Sequence, residues 1–217
     1  MKLIWSPETA SKAYIDTVKS CEKLRESGVP ELLSAMAAGW DAKLIVESWS
    51  QGDPIATSLG LAMAARHTRG RHVCIVPDEI SRSEYVNATR NAGVMPEVVV
   101  GEAEAATGAG VDFLVVDCKG RDFARVLRRA KVSPKGAVFA CKNACQRNVS
   151  GFKWHGAVEK GTRVVRTVFL PVGKGLDIAH IGYGTGGGNV VESNKKGPSR
   201  WIKHIDHRSG EEHLFRE

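Results

Sequence analysis

The sequence predicts one doubly wound α/β domain, a Rossmann-like three-layer sandwich around a seven-stranded, mostly parallel sheet that ends in an antiparallel hairpin. Three observations predict it. Short runs that are apolar throughout alternate with helical segments, and such strands belong to parallel sheets covered on both faces. At 217 residues the chain is long enough for one sizeable core and short for two. The last two apolar runs, Arg163 to Leu170 and Leu176 to Ile181, flank Pro171-Val172-Gly173-Lys174-Gly175, a Gly-containing hairpin turn.

The elements follow in order. Ser6-Pro7 is a helix start, Ser as cap and Pro in the first turn, and Ala13, Ile15, Val18, Cys21 and Leu24 continue at helical spacing. Gly28-Val29-Pro30 stops that helix, and Glu31 to Ala38 makes a second one; residues 1–40 form a helical lead-in. Strands are expected at Leu44–Val46, His72–Val76, Val98–Val100, Phe113–Val116 and Ala137–Ala140. Helices are expected between them at Ile55–His67, Ser81–Ala92 and Phe123–Ala130, with a small-residue helix or loop at Glu102–Ala109. Right-handed crossovers then place helices on both faces of the sheet. The domain is expected to span 1–182. Residues 183–217 read as a Gly-rich linker followed by a basic, polar tail that packs loosely or lacks order.

Hydrophobic residues make up 42% and charged residues 25%, an ordinary globular balance. No run approaches the ~20 apolar residues of a membrane span, and the first residues lack a secretory pattern. Five scattered cysteines suit reduced thiols, so the expected location is the cytoplasm. The net charge is +7, concentrated between Lys119 and Lys174, where fourteen Lys and Arg stand against only Asp122 and Glu159. That segment is either a solvated face or a surface for an acidic or phosphorylated partner. A nucleic-acid role is a third, weaker alternative, since aromatics are only 6% and no base-stacking motif accompanies the charge. Cys141 and Cys145 lack the second pair a zinc site needs.

Ligands of open α/β sheets bind beyond the carboxyl ends of the strands. The residues there are Glu47-Ser48-Trp49-Ser50-Gln51-Gly52-Asp53-Pro54, Pro77-Asp78-Glu79, Gly101-Glu102-Ala103, Asp117-Cys118-Lys119 and Cys141-Lys142-Asn143. Four of the five ends carry an acid, suited to ribose hydroxyls, an adenine amino group or a ligand ammonium. Asp53, Asp78 and Glu79 fit helix capping equally well. Asp117 fits it less well, because an apolar run delivers it to a strand tip.

At these strand ends the chain resembles a family. From about Glu31 to Gly182, order and spacing resemble the small S-adenosylmethionine-dependent O-methyltransferases of the caffeoyl-CoA and catechol type. Glu97-Val98-Val99-Val100-Gly101-Glu102-Ala103 resembles their third strand and Gly-Asp-Ala turn, and Val111 to Asp117 resembles the fourth strand with its functional Asp. Val164 to Gly182 resembles the final hairpin. The two termini, Met1-Lys2-Leu3-Ile4-Trp5-Ser6-Pro7 and Ser199-Arg200-Trp201-Ile202-Lys203-His204, resemble a plant family of unknown function within that superfamily. The resemblance implies S-adenosylmethionine as cofactor, with Ser48, Gly52, Asp78, Glu102 and Asp117 around it.

The chain also departs from the pattern. Of the two turn glycines after the first strand only Gly52 is present; Ser48 places a Cβ where the backbone would approach the cofactor. The ribose acid aligns near Val76, leaving Asp78 as its substitute. The three metal ligands of the metal-dependent members map to Asp117, Lys142 and Asn143, and an ammonium cannot ligate a cation. A Lys142–Asp117 ion pair is expected in the metal's place, with no metal bound. The candidate catalytic residues are therefore Asp117, Lys119 and Lys142. Two readings stand: a metal-independent methyltransferase acting on a small molecule, and a non-catalytic scaffold for a ligand or a protein.

Overall fold

A computed structural model of the chain describes residues 5–22, 24, 28–101, 108, 110–120, 122–147 and 151–183, and the backbone of 201–205 and 212–216. The chain divides into two compact units, Met1–Gly184 and Thr185–Glu217. In the first unit, seven strands form one sheet in the order β3-β2-β1-β4-β5-β7-β6. They are β1 (Leu44–Ser48), β2 (Arg71–Val76), β3 (Glu97–Val100), β4 (Phe113–Asp117), β5 (Ala137–Lys142), β6 (Arg163–Leu170) and β7 (Leu176–Gly182). The first five run parallel, while β7 is antiparallel to both β5 and β6. The order reverses at β1, flanked by β2 and β4, so the ligand crevice lies over those tips.

Helices α1 (Pro7–Cys21), α2 (Val29–Gly39), α3 (Ala56–Thr68) and α4 (Glu79–Asn91) cover one face. On it Ala13, Leu33, Leu61, Ile45, Phe113 and Val115 pack together, with Tyr85 of α4 against Cys74 and Val76. Helices α5 (Phe123–Arg129) and α6 (Trp154–Ala157) cover the other face, against Val46, Ile75, Leu114, Val116 and Phe139. The alternation of each strand's residues between these two clusters accounts for runs that are apolar throughout.

Local chemistry sets the ends. Ser6 caps α1, accepting from the Thr9 amide. The second helix begins two residues before its expected start. Gly28, at φ +92°, lets the chain enter at Val29; Pro30 is tolerated because first-turn amides lack intrahelical partners. Gly60, inside α3, permits close packing on α2: a Cβ there would stand 2.6 Å from the Pro30 carbonyl oxygen. Asp112 ties β4 to the start of β1 by accepting from the amides of Lys43 (2.7 Å) and Leu44 (3.0 Å).

The second unit contains a hairpin that the reading of a Gly-rich linker and polar tail did not include. Trp201–Ile205 (β8) pairs antiparallel with Glu212–Arg216 (β9), from Trp201↔Arg216 to Ile205↔Glu212. Trp201, Ile202, Ile205, Leu214 and Phe215 stand among Lys, His, Glu and Arg without a period of two, so no strand pattern marks this hairpin in the sequence. All five cysteines are free thiols, four of them buried. Among the described residues no helix is long and apolar enough to cross a membrane.

Candidate functional site

A cavity of about 300 Å³ opens at the carboxyl ends of β1, β2 and β4, on the side covered by α5. Ser48, Trp49 and Ser50 line it from the first strand's loop, Ile75, Val76 and Pro77 from the second, and Gly101 from the third. Asp117, Gly120, Asp122, Phe123, Arg125 and Val126 close the remaining side. Its volume lies at the lower end of the range for small-molecule sites. Apolar walls and a few convergent polar groups at the reversal point suit a nucleoside-bearing ligand.

Asp117 stands at the end of β4, where the apolar run delivers it, and Lys142 is its register partner on β5. The Lys142 Nζ lies 3.5 Å from Asp117 Oδ2, with both side chains more than nine-tenths buried. The same oxygen accepts from Asn143 Nδ2 at 2.7 Å, and Oδ1 accepts from the Lys119 amide at 2.9 Å. Asn143 reaches back because its backbone turns left-handed, at φ +57°. Asp117, Lys142 and Asn143 thus meet where the sequence brings them. The ammonium occupies the ground a divalent cation would need, so this donor set does not fit the metal of the metal-dependent enzymes. Among the described residues, no three His, Cys, Asp or Glu are grouped to hold a metal.

The other expected site residues divide. Ser48 lines the cavity and is half-buried. Gly52 adopts φ +80° with open space where a Cβ would be, so it serves the turn and not a close approach; its amide donates to Glu84 Oε1 at 3.1 Å. Asp78 caps α4, accepting from the Ser81 amide at 2.7 Å, and is not among the residues lining the cavity. That amide holds its carboxyl below the usual carboxylate range. Lys119 contributes its backbone amide while its side chain is exposed. Glu102 lies outside the described residues.

Two features went unread in the sequence, and a third residue, Asp53, reads there as either a strand-end acid for a ligand or a helix cap. Asp53 does not cap α3, whose capping position is Ile55. Its Oδ2 accepts from the Ser50 amide at 3.2 Å instead, its backbone oxygen accepts from Trp49 Nε1 at 3.0 Å, and the residue is half-buried. Burial pushes that carboxyl above the usual range; Lys142 opposes the shift and Asp117 adds to it. Glu47 is buried within β1, accepting from the Tyr85 hydroxyl at 2.6 Å, and Tyr85 packs against Trp49 with ring centroids 5.3 Å apart and the ring planes tilted by 60°. His72 Nε2 stands 3.1 Å from Glu47 Oε1 but off the hydrogen-bonding direction. Arg147 pairs with Asp177 at 2.8 Å and covers the Phe152 ring, anchoring the chain that follows β5. An acid inside Leu44-Ile45-Val46-Glu47 was the available signal for the first pair; nothing local marks Asp177 as the partner of Arg147.

Solved structures share the fold. A methyltransferase from Geobacter sulfurreducens aligns with a TM-score of 0.54 at 23% identity, covering 81% of this chain and 90% of its own. The Podospora anserina methyltransferase PaMTH1, solved with S-adenosylhomocysteine, aligns at 0.51 and 14% identity over 82% and 89%. An O-methyltransferase from Bacillus cereus, also solved with S-adenosylhomocysteine, aligns at 0.50 and 16% over 82% and 93%. At these identities the likeness establishes the methyltransferase-like fold. No curated protein matches the chain. The model of the family described as "Protein of unknown function (DUF1442)" matches residues 1–217, and the chain belongs to that family.

Proposed function

We propose that this protein binds S-adenosylmethionine in the cavity over β1, β2 and β4 and transfers its methyl group to a small-molecule acceptor without a divalent cation. The observation that carries the reading is the Asp117–Lys142 pair at adjacent strand tips, beside a cavity at the sheet's reversal point. Two neighbours of the same fold were solved with S-adenosylhomocysteine, which supports placing the cofactor there. Bound, it supplies an electrophilic methyl. Ser48, Glu102 and Asp117 would hold it, with Gly52 shaping the loop and Asp78 a candidate through the carboxylate oxygen its cap leaves over. Lys142, anchored by Asp117, would present N–H donors to the acceptor oxygen, and much of the acceleration would come from alignment. Lys119 would add positive potential at the mouth. The exposed basic residues of the 119–174 segment would favour an acidic or phosphorylated acceptor or partner, and the free thiols suit the cytoplasm.

A second reading rests on Ser48 and Asp78. The Cβ of Ser48 stands at the cavity wall, and one oxygen of Asp78 is taken by its helix cap. Both weaken cofactor binding and favour a non-catalytic scaffold that keeps the fold. Calorimetric titration with S-adenosylmethionine and S-adenosylhomocysteine separates the two. Micromolar or tighter binding is expected; no heat and no thermal shift with either ligand leaves the scaffold standing.

A further inference from the structure

Helix α1 carries two stripes of side chains, and the domain buries one of them. Ala10, Ala13, Thr17 and Cys21 pack against the rest of the domain. Ser11, Tyr14 and Val18 each follow one of those positions by one residue, which sets them about 100° farther round the helix. With Ile15 they face outward: Tyr14 is 47% exposed, Ile15 51% and Val18 44%. Trp5, just ahead of the helix, is 48% exposed although its ring packs on Gly39 of α2. Four of the nine large apolar side chains exposed among the described residues therefore lie between Trp5 and Val18.

This surface has relief. A groove of about 390 Å³ opens where α1 meets α2, with the small side chains of Ala10, Ser11 and Ala35 beside the larger Tyr14 and Ile15, and its wall is almost wholly apolar. Projecting side chains and a hole fit to receive them thus share one patch, the condition for a contact across a two-fold axis. The charges around it cancel. Helix α1 holds two acids and two lysines; Glu8 pairs with Lys12 at 2.6 Å, and Asp16 meets His67 of α3 at 2.8 Å. The chain's net charge of +7 therefore does not oppose contact between copies at this face, and an anionic lipid surface or nucleic acid finds no excess of positive charge here.

Size sets the strength. At about half exposure, two aromatic and two aliphatic side chains leave roughly 200–370 Å² of apolar surface on each copy. With apolar atoms about 65% of a homodimer interface, the contact buries roughly 600–1,100 Å² in total. That is the low end for specific interfaces, where association is weak and reversible. We propose that this face of α1, with the α1–α2 groove, joins two copies of the chain in a reversible dimer, each setting Tyr14 and Ile15 beside the other's Ala10, Ser11 and Ala35.

Sedimentation equilibrium of the full chain across the micromolar range tests it, with Ile15→Glu, Val18→Glu and, at an exposed apolar position on β6, Phe169→Glu. Wild type is expected to dimerise with a micromolar dissociation constant. Each α1 variant should weaken the dimer by roughly tenfold or more, because it sets like charges together across the axis, while Phe169→Glu should change nothing. All three positions are about half exposed, so melting temperatures of the dilute proteins should match wild type. A wild type that stays monomeric throughout overturns the proposal. So does a dimer that both α1 variants leave intact, or one that Phe169→Glu weakens equally. Monomeric wild type that sediments with phosphatidylcholine–phosphatidylserine vesicles, while Ile15→Glu does not, gives the face to a lipid surface instead.

Discussion

Tyr85 donates its hydroxyl to Glu47 Oε1 across 2.6 Å, and both side chains are buried under the loop that walls the cavity. Burial alone would push the Glu47 carboxyl up, but His72 and the Tyr85 hydroxyl outweigh it and hold the carboxyl below the ordinary glutamate range. The same burial, with the Glu47 charge, drives the Tyr85 hydroxyl far above its ordinary value, so Tyr85 stays a donor. Because the phenol ring also supports Trp49, this pair joins the sheet's interior to the shape of the ligand loop.

Tyr85→Phe is therefore expected to lower stability by about 1.5–3 kcal/mol, the range for a hydrogen bond to a charged group. Urea unfolding measures it. The pH dependence has a definite sign. A carboxyl depressed in the folded state stabilises it above the unfolded value of about 4.3, and that stability is lost as pH falls through the lower folded value. Wild type should show an acid-unfolding component below about pH 4 that Glu47→Gln lacks.

Gly60→Ala sets two effects against each other. Alanine in a helix interior gains about 0.5–1 kcal/mol over glycine. Its Cβ would stand 2.6 Å from the Pro30 carbonyl oxygen, a backbone atom that moves only with α2. Overpacking of that kind costs about 1–3 kcal/mol, so the clash prevails and the melting temperature should fall. A rise would mean that α2 and α3 separate easily.

The sheet was legible because strands buried on both faces leave long apolar runs, and Leu44–Val46 and Phe113–Val116 carry no competing signal. Adjacent strand tips then made Asp117 and Lys142 neighbours without knowledge of any side-chain angle. What escaped depends on tertiary contact. Asp53 sits before a helix, as a cap would, and only the turn of Ser50–Asp53 directs its carboxyl elsewhere. The Glu47–Tyr85 bond spans 38 residues, and Arg147–Asp177 spans 30; no local pattern encodes either. The β8–β9 hairpin was hidden because neither Trp201–Ile205 nor Glu212–Arg216 alternates apolar and polar residues, while Lys, His and Glu keep local hydrophobicity low.

Two substitutions bear on the cofactor reading. Glu102→Ala should weaken S-adenosylhomocysteine binding by roughly tenfold or more, the loss of one charged acceptor worth about 1.5–3 kcal/mol. Ser48→Gly should strengthen it, because it removes the Cβ at the cavity wall and restores the close backbone approach that glycine allows. Calorimetry on both variants checks the pair. Unchanged affinity in each would place the ligand away from the β1 and β3 tips.

The last prediction concerns the charges where a cation would sit. Magnesium, calcium and manganese should leave the wild-type melting temperature unchanged, because the Lys142 ammonium 3.5 Å from Asp117 Oδ2 repels a divalent ion and supplies no lone pair. Lys142→Ala should destabilise the fold, since removing one partner of a buried pair costs about 3–5 kcal/mol. Two facts place the loss toward the lower end: the pair is loose at 3.5 Å, and Asp117 keeps the Lys119 amide and Asn143 as donors. Lys142→Asp reverses the electrostatics by setting a second carboxylate beside Asp117 and the Asn143 amide. Repulsion lowers stability without metal, and a divalent cation relieves it, so calcium or manganese should raise the melting temperature of this variant in proportion to the logarithm of its concentration. Melting curves of wild type, Lys142→Ala and Lys142→Asp, each with and without cation, read all three effects in one experiment. A wild-type protein stabilised by the cation would show that Lys142 swings away and leaves Asp117 to a metal.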